Sequence, residues 1–188
     1  MNKPHKTTHK DDAISIIKDD HDKVKALFGK FEKAENLREK KKIVAEAIME
    51  LKVHATIEEE IFYPAVRKHL EKDMMNEADE EHHVAKLLIA ELEQMEGSED
   101  HWGTKFTVLS ENIRHHIKEE EGDMLPAARK LDIDFDAIGQ ALLARKEELK
   151  EKGIPVCAEE EMISSYGIAD SPARMSKKKQ ASKMHEPA

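Results

Sequence analysis

HATIEEEIFYPAVRK, residues 54–68, and HIKEEEGDMLPAARK, residues 116–130, decide the reading of this chain. Aligned, they share His54/His116, Glu58/Glu120, Glu59/Glu121, Pro64/Pro126, Ala65/Ala127, Arg67/Arg129 and Lys68/Lys130. The repeat extends upstream. DHDKVKALFGKFE, residues 20–32, aligns with EHHVAKLLIAELE, residues 81–93, placing His21 on His82 and Lys25 on Lys86. The offset is 61 residues for this block and 62 for the other, so two halves match in order and nearly in register.

Periodicity gives each half its form. Ile14, Ile17, Val24, Leu27, Phe28 and Phe31 recur at helical steps, predicting a helix over about residues 12–34. A second is expected over about 39–70, with Ile43, Ala47, Ile48, Leu51, His54, Ile57, Glu58 and Ile61 on one face. Pro64 should kink or break it, because proline lacks the N–H and clashes with the preceding turn. A third helix is expected over 72–95, a turn at 97–103, and a fourth over 104–130 with Pro126 placed like Pro64. Two helical hairpins of this kind make an antiparallel up-down four-helix bundle with approximate two-fold symmetry. The expected organisation is a flexible N-terminus (1–11), the bundle (12–132), a fifth helix (133–152) and a disordered tail (153–188). The tail ends in a lysine-bearing run with little to bury.

Composition agrees with an all-α chain. Of 188 residues, 38% are charged and only 4% aromatic, with seven Gly and six Pro, too few turn formers for a sandwich or barrel. A net charge of -9 argues against nucleic acid as the partner. Cys157 is alone, which excludes an intramolecular disulfide or a four-thiolate metal site. No run is apolar enough to span a membrane, and the start has no signal-peptide core. The expected location is cytoplasmic.

On a helix, residues four apart share a face, so His54 with Glu58 and His116 with Glu120 each present an imidazole and a carboxylate to one point. His21 and His82 continue the apolar stripes of their helices and should point inward too. Two facing carboxylates inside a bundle repel or protonate unless a cation lies between them. Nitrogen and oxygen donors of this kind suit iron or manganese. Symmetry suggests two metals, with the Glu residues bridging. One His-x-x-x-Glu on so charged a helix is ordinarily an exposed pair. His5/His9 and Glu111/His115 have the same spacing and read as surface residues. Recurrence in matched context distinguishes the other two. His83 and His115 adjoin the candidates and compete with them by one residue. Phe62, Tyr63 and Trp102 read as packing.

Through DHDKVKALF, HATIEEEIFYP, EEHHVAKLL and HHIKEEEGDMLP the chain resembles the hemerythrin-like, HHE cation-binding family over residues 12–132. The resemblance implies a four-helix bundle holding two iron ions, a non-haem di-iron centre bridged by carboxylates and an oxo or hydroxo group. It implies reaction with O2 or related small molecules such as peroxide and nitric oxide. By position it implies the ligands His21, His54, Glu58, His82, His116 and Glu120. Oxygen-carrying members have five His ligands, two of them four apart on the third helix. Here Ala78 and Lys86 flank His82 at that spacing, with Asp79 the nearest alternative oxygen donor, so durable oxygen carriage is not expected. Three functions compete: small-molecule binding or sensing, a di-iron oxidase or peroxidase, and iron storage or sensing. A ferritin-like site would need Glu-x-x-His twice, and only Glu80/His83 fits. A bundle with zinc, or with no metal, is the structural alternative.

Overall fold

The computed structural model describes residues 12–166. The expected flexible N-terminus (1–11), the part of the expected tail beyond 166 and its Lys177–Lys179 run lie outside the described residues. The described chain is helical without strands. Helix α1 (Ala13–Lys33) begins at Asp12, whose carboxylate accepts from the backbone N–H of Ile14 and Ser15. Such a cap satisfies amides that have no partner inside the helix. Asn36 caps α2 (Leu37–Ile57) by accepting from the Glu39 N–H at 2.9 Å. The short link between them forces an antiparallel hairpin. Helices α3 (Lys72–Glu93) and α4 (Trp102–Glu119) form the second hairpin, and α5 (Phe135–Lys152) packs across α1.

Pro64 does not break its helix. After Ile57 the backbone widens into a π-helical turn, Glu58–Phe62, then resumes as the short α-turn Tyr63–Val66. The Tyr63 N–H reaches back five residues to the Glu58 carbonyl. The extra residue puts Pro64 in the first turn of the resumed helix, where a missing N–H costs little. The second half repeats the device. Glu120–Met124 is π-helical, Leu125 N–H bonds the Glu120 carbonyl, and Pro126 opens Leu125–Ala128. Each π-turn starts at one of the candidate carboxylates.

The core lies in two apolar clusters. One holds Val24, Leu27, Phe28, Leu51, Ala85, Phe106 and Ile113. The other holds Ile17, Val53, Ile57, Phe62, Met75, Ala78 and Leu142. His21, His54, His82 and His116 fall along their helices where one cluster gives way to the other. The polar cluster is thus a layer between two apolar ones.

The tail departs from expectation. Residues 153–166 are not wholly irregular: Ala158–Tyr166 forms a sixth helix, α6, packed on α3. Its sequence is polar, but Glu159 pairs with His83 at 2.7 Å and Glu160 with Lys52 at 2.8 Å. Charge pairing to the bundle replaces the burial that the composition lacks.

Candidate metal centre

All six residues singled out by the repeat are buried together: His21, His54, Glu58, His82, His116 and Glu120. They form two overlapping groups of closely spaced donor atoms: His21, His54, Glu58 and Glu120, and then Glu58, His82 and His116. The geometry has two poles. At one, the rings of His21 and His54 lie 4.9 Å apart; at the other, those of His82 and His116 lie 4.8 Å apart. The carboxylates lie between. Glu58 Oε2 is 3.1 Å from His54 Nε2 and 3.5 Å from His82 Nε2. Glu120 Oε2 is 3.1 Å from His21 Nε2 and 3.5 Å from His116 Nε2. Each carboxylate therefore touches one imidazole from each pole.

Every one of these histidines has a carboxylate behind it. His82 Nδ1 is 2.8 Å from Glu59 and His21 Nδ1 is 3.0 Å from Glu121. His116 Nδ1 is 2.7 Å from Glu81, and His54 Nδ1 is 3.5 Å from Asp20, the loosest of the four. In the neutral ring, an Nδ1–H donated outward leaves the Nε2 lone pair facing inward. Lysines hold the outer carboxylates: Lys25 is 3.1 Å from Glu121, Lys86 is 2.6 Å from Glu59, and Lys146 pairs with Asp20. The pattern obeys the repeat. Glu59 and Glu121 each follow an inner Glu; Asp20 and Glu81 each precede an inner His.

Burial penalises the charge on Glu120, but His116 and His21 outweigh it and push its pKa far down. Burial likewise works against protonated His82, yet Glu58 and Glu59 push its pKa up to about 10. His21 is raised, against burial, chiefly by Glu120. The cluster thus calls for positive charge, and protons supply it when no cation does. Several buried atoms still lack hydrogen-bond partners: both oxygens of Glu58, Glu120 Oε2, His21 Nε2 and His54 Nε2. Native proteins leave few such atoms unsatisfied. These point inward from a nitrogen- and oxygen-donor set that fits iron.

Tyr63, read from sequence as packing, belongs to the cluster. Its buried hydroxyl donates to Glu120 Oε1 at 2.9 Å and lies 3.2 Å from His82 Nε2. Burial, reinforced by Glu58 and Glu120, raises its pKa well above that of a free phenol. Asp79 is not near: it is exposed and paired with Arg67 at 2.6 Å. The phenol oxygen of Tyr63, rather than Asp79, adds to the glutamate oxygens beside His82. Ala78 is buried in the adjoining apolar cluster. His83 and His115 face outward, toward Glu159 and Glu119 respectively.

Comparison with known proteins agrees with this architecture. The family model of the hemerythrin HHE cation-binding domain matches residues 12–128. The chain therefore belongs to the hemerythrin HHE cation-binding domain family. A crystal structure of an HHE domain-containing protein from Mycobacterium kansasii, a homolog of Rv2633c, superposes with a TM-score of 0.63 at 25% identity. That alignment covers 76% of this chain and 94% of the other. Rv2633c of Mycobacterium tuberculosis is 28% identical over 144 residues, 73% of this chain and 87% of its own length. A DNA nickase of Nostoc sp. is 25% identical over 114 residues, which span 61% of this chain but 32% of the nickase. No helix among the described residues is long and apolar enough to cross a membrane.

Proposed function

We propose that this chain holds two iron ions between its helices and uses them to bind or process O2 or a related small molecule such as peroxide or nitric oxide. One observation carries the reading: Glu58 and Glu120 each lie between a histidine of one pole and a histidine of the other. A single-ion site has no use for two such poles. His21 and His54 would hold one ion, His82 and His116 the other, with Glu58 and Glu120 shared. Iron in such a site supplies electrons one at a time from each of two adjacent ions.

The chain's own residues supply the rest. Glu59, Glu81, Glu121 and Asp20 orient the imidazoles and offset the positive charge. The two apolar clusters exclude water from above and below. Tyr63 holds a proton at its hydroxyl, beside Glu120 and His82, where it can be donated to a bound small molecule. That phenol, together with Ala78 in place of a fifth histidine, favours oxidative or peroxide chemistry over reversible O2 carriage. Hard oxygen donors stabilise the ferric state.

The test is anaerobic reduction of the iron-loaded protein, then addition of O2 while the visible spectrum is followed. Rapid conversion to an oxidised form that argon does not reverse supports the reading. A long-lived coloured adduct that bleaches under argon would indicate a carrier.

A further inference from the structure

A cavity of about 50 Å³ reaches the histidines from the side of the bundle. His21, His54, His82 and His116 line it, with Val24, Leu51, Ala85 and Ile113 among its largely apolar walls. It continues to Ile154, Pro155, Cys157 and Glu160, which belong to the segment read from sequence as disordered. The route of that segment has local causes. Gly153 adopts φ 87°, which a residue with a side chain rarely does, and its N–H closes α5 on the Leu149 carbonyl at 3.0 Å. Pro155 then prevents helical continuation. The chain crosses the bundle and is pinned where α6 begins, by Glu160 on Lys52 and Glu159 on His83. Lys52 is itself braced by Glu93 at 3.1 Å.

We propose that Ile154, Pro155, Cys157 and Glu160 form a selective roof over this passage, admitting small uncharged molecules to the histidines and excluding alkyl hydroperoxides. The cavity has room for about one or two water-sized molecules, enough for O2, nitric oxide or hydrogen peroxide and too little for a bulky organic group. Its apolar walls disfavour ions, which lose hydration on entry. The lysines that also line it are paired, Lys52 with Glu160 at 2.8 Å and Lys86 with Glu59 at 2.6 Å, and burial and neighbouring Glu159 raise the pKa of Cys157. The destination of the ligand rests on the metal-centre reading; the docked roof is a property of the chain alone. A separate depression approaches His116 and Glu120 between α3 and α4, lined by Glu77, Glu81, Glu119 and Asp123. It is the competing route.

The experiment compares the full chain with Glu160→Lys, which sets like charges against each other at Lys52, and with Pro155→Gly, which loosens the crossing. The first readout needs no metal: alkylation of Cys157, the chain's one cysteine, by iodoacetamide and by a bulky maleimide. The second is oxidation of the anaerobically reduced, iron-loaded protein by hydrogen peroxide or by cumene hydroperoxide. Each reagent takes one electron from each of two ferrous ions and two protons, leaving two waters, or water and an alcohol. The roof predicts slow maleimide labelling and a strong preference for hydrogen peroxide in the unaltered chain. It predicts faster labelling in the variants and a preference reduced about tenfold or more. Faster labelling with an unchanged preference overturns the proposal and points to the acidic route. Labelling of the unaltered chain as fast as that of denatured protein overturns it as well. If the purified protein takes up no iron, the metal reading fails, and the labelling alone decides whether the roof is docked.

Discussion

Glu59 stands directly behind His82, its Oε1 2.8 Å from the imidazole Nδ1, although the two lie on different hairpins. Glu121 stands behind His21 in the same way at 3.0 Å. The hairpins are thus cross-braced: the residue after each inner glutamate orients the leading histidine of the other half. Such partners fix ring orientation and raise ligand basicity. Glu59→Gln and Glu121→Gln should each weaken metal binding about 10–100-fold while far-UV circular dichroism stays unchanged. Competition with a chelator of known affinity measures it. Unaltered affinity in both variants would mean that these carboxylates serve the surface, through Lys86 and Lys25, and not the centre.

Tyr63→Phe removes one oxygen and keeps the ring. Glu120 then loses a buried donor, which should cost the metal-free protein about 1–3 kcal/mol by urea denaturation. Metal content should hold, since the four histidines and two glutamates remain. The reaction of the reduced protein with O2 or peroxide should slow, because the proton at the phenol is gone. An unchanged rate and unchanged stability would return Tyr63 to a packing role.

Protons and metal compete for the same atoms, and the competition has a definite sign. His82 in the metal-free fold has its pKa pushed up to about 10, against an ordinary value near 6.5. Its protonation therefore stabilises the metal-free fold fully below about pH 6.5, and that contribution is lost as pH rises through about 10. Metal requires the neutral ring, so its binding strengthens over the same interval. The rise in melting temperature on metal binding should grow from pH 6.5 to pH 9. Below about pH 5–6, where free imidazole protonates, metal should be released. A gain that shrinks with increasing pH would contradict the arrangement.

Asp12 tests the scaffold rather than the centre. It caps α1 and accepts from Arg129 Nη2 at 2.9 Å, tying the first helix to the last turn of the second hairpin. Burial opposes its charge, but the hydrogen bonds from Arg129 and from the Ser15 and Ile14 amides hold its pKa below the usual value. Asp12→Ala should cost about 1–2 kcal/mol of stability at pH 7. A lowered carboxylate stabilises above its unfolded pKa of about 3.9 and loses that contribution as pH falls through the folded value. The gap between wild type and variant should therefore close in acid, as measured by thermal denaturation from pH 7 down to pH 3.

The repeat made the bundle and the six buried donors legible, because helical spacing fixes which residues share a face. It also contained the bracing shell. Glu59/Glu121 and Lys25/Lys86 are identical across the halves, but spacing along one chain assigns them no role; that comes from the cross-pairing of the hairpins. Tyr63 was invisible to the same logic, since its counterpart is Leu125 and symmetry carries no signal at an asymmetric position. Asp79 was a plausible donor by sequence distance, yet its side chain turns outward to Arg67. The π-turns at Glu58 and Glu120 were signalled only by the prolines, which suggested a kink or break; the backbone accommodates each by widening just upstream. Helix α6 was missed because its attachment lies in ion pairs with Lys52 and His83, distant in sequence.

The proposed centre stands or falls on two ions sharing Glu58 and Glu120. The most direct measurement is iron content per folded chain, combined with Mössbauer spectroscopy of protein loaded with ⁵⁷Fe. Two shared carboxylates predict about two irons per chain in two distinguishable environments, magnetically coupled when oxidised, with coupling lost in Glu58→Gln or Glu120→Gln. One iron per chain, uncoupled iron, or zinc alone from iron-replete cells would contradict it.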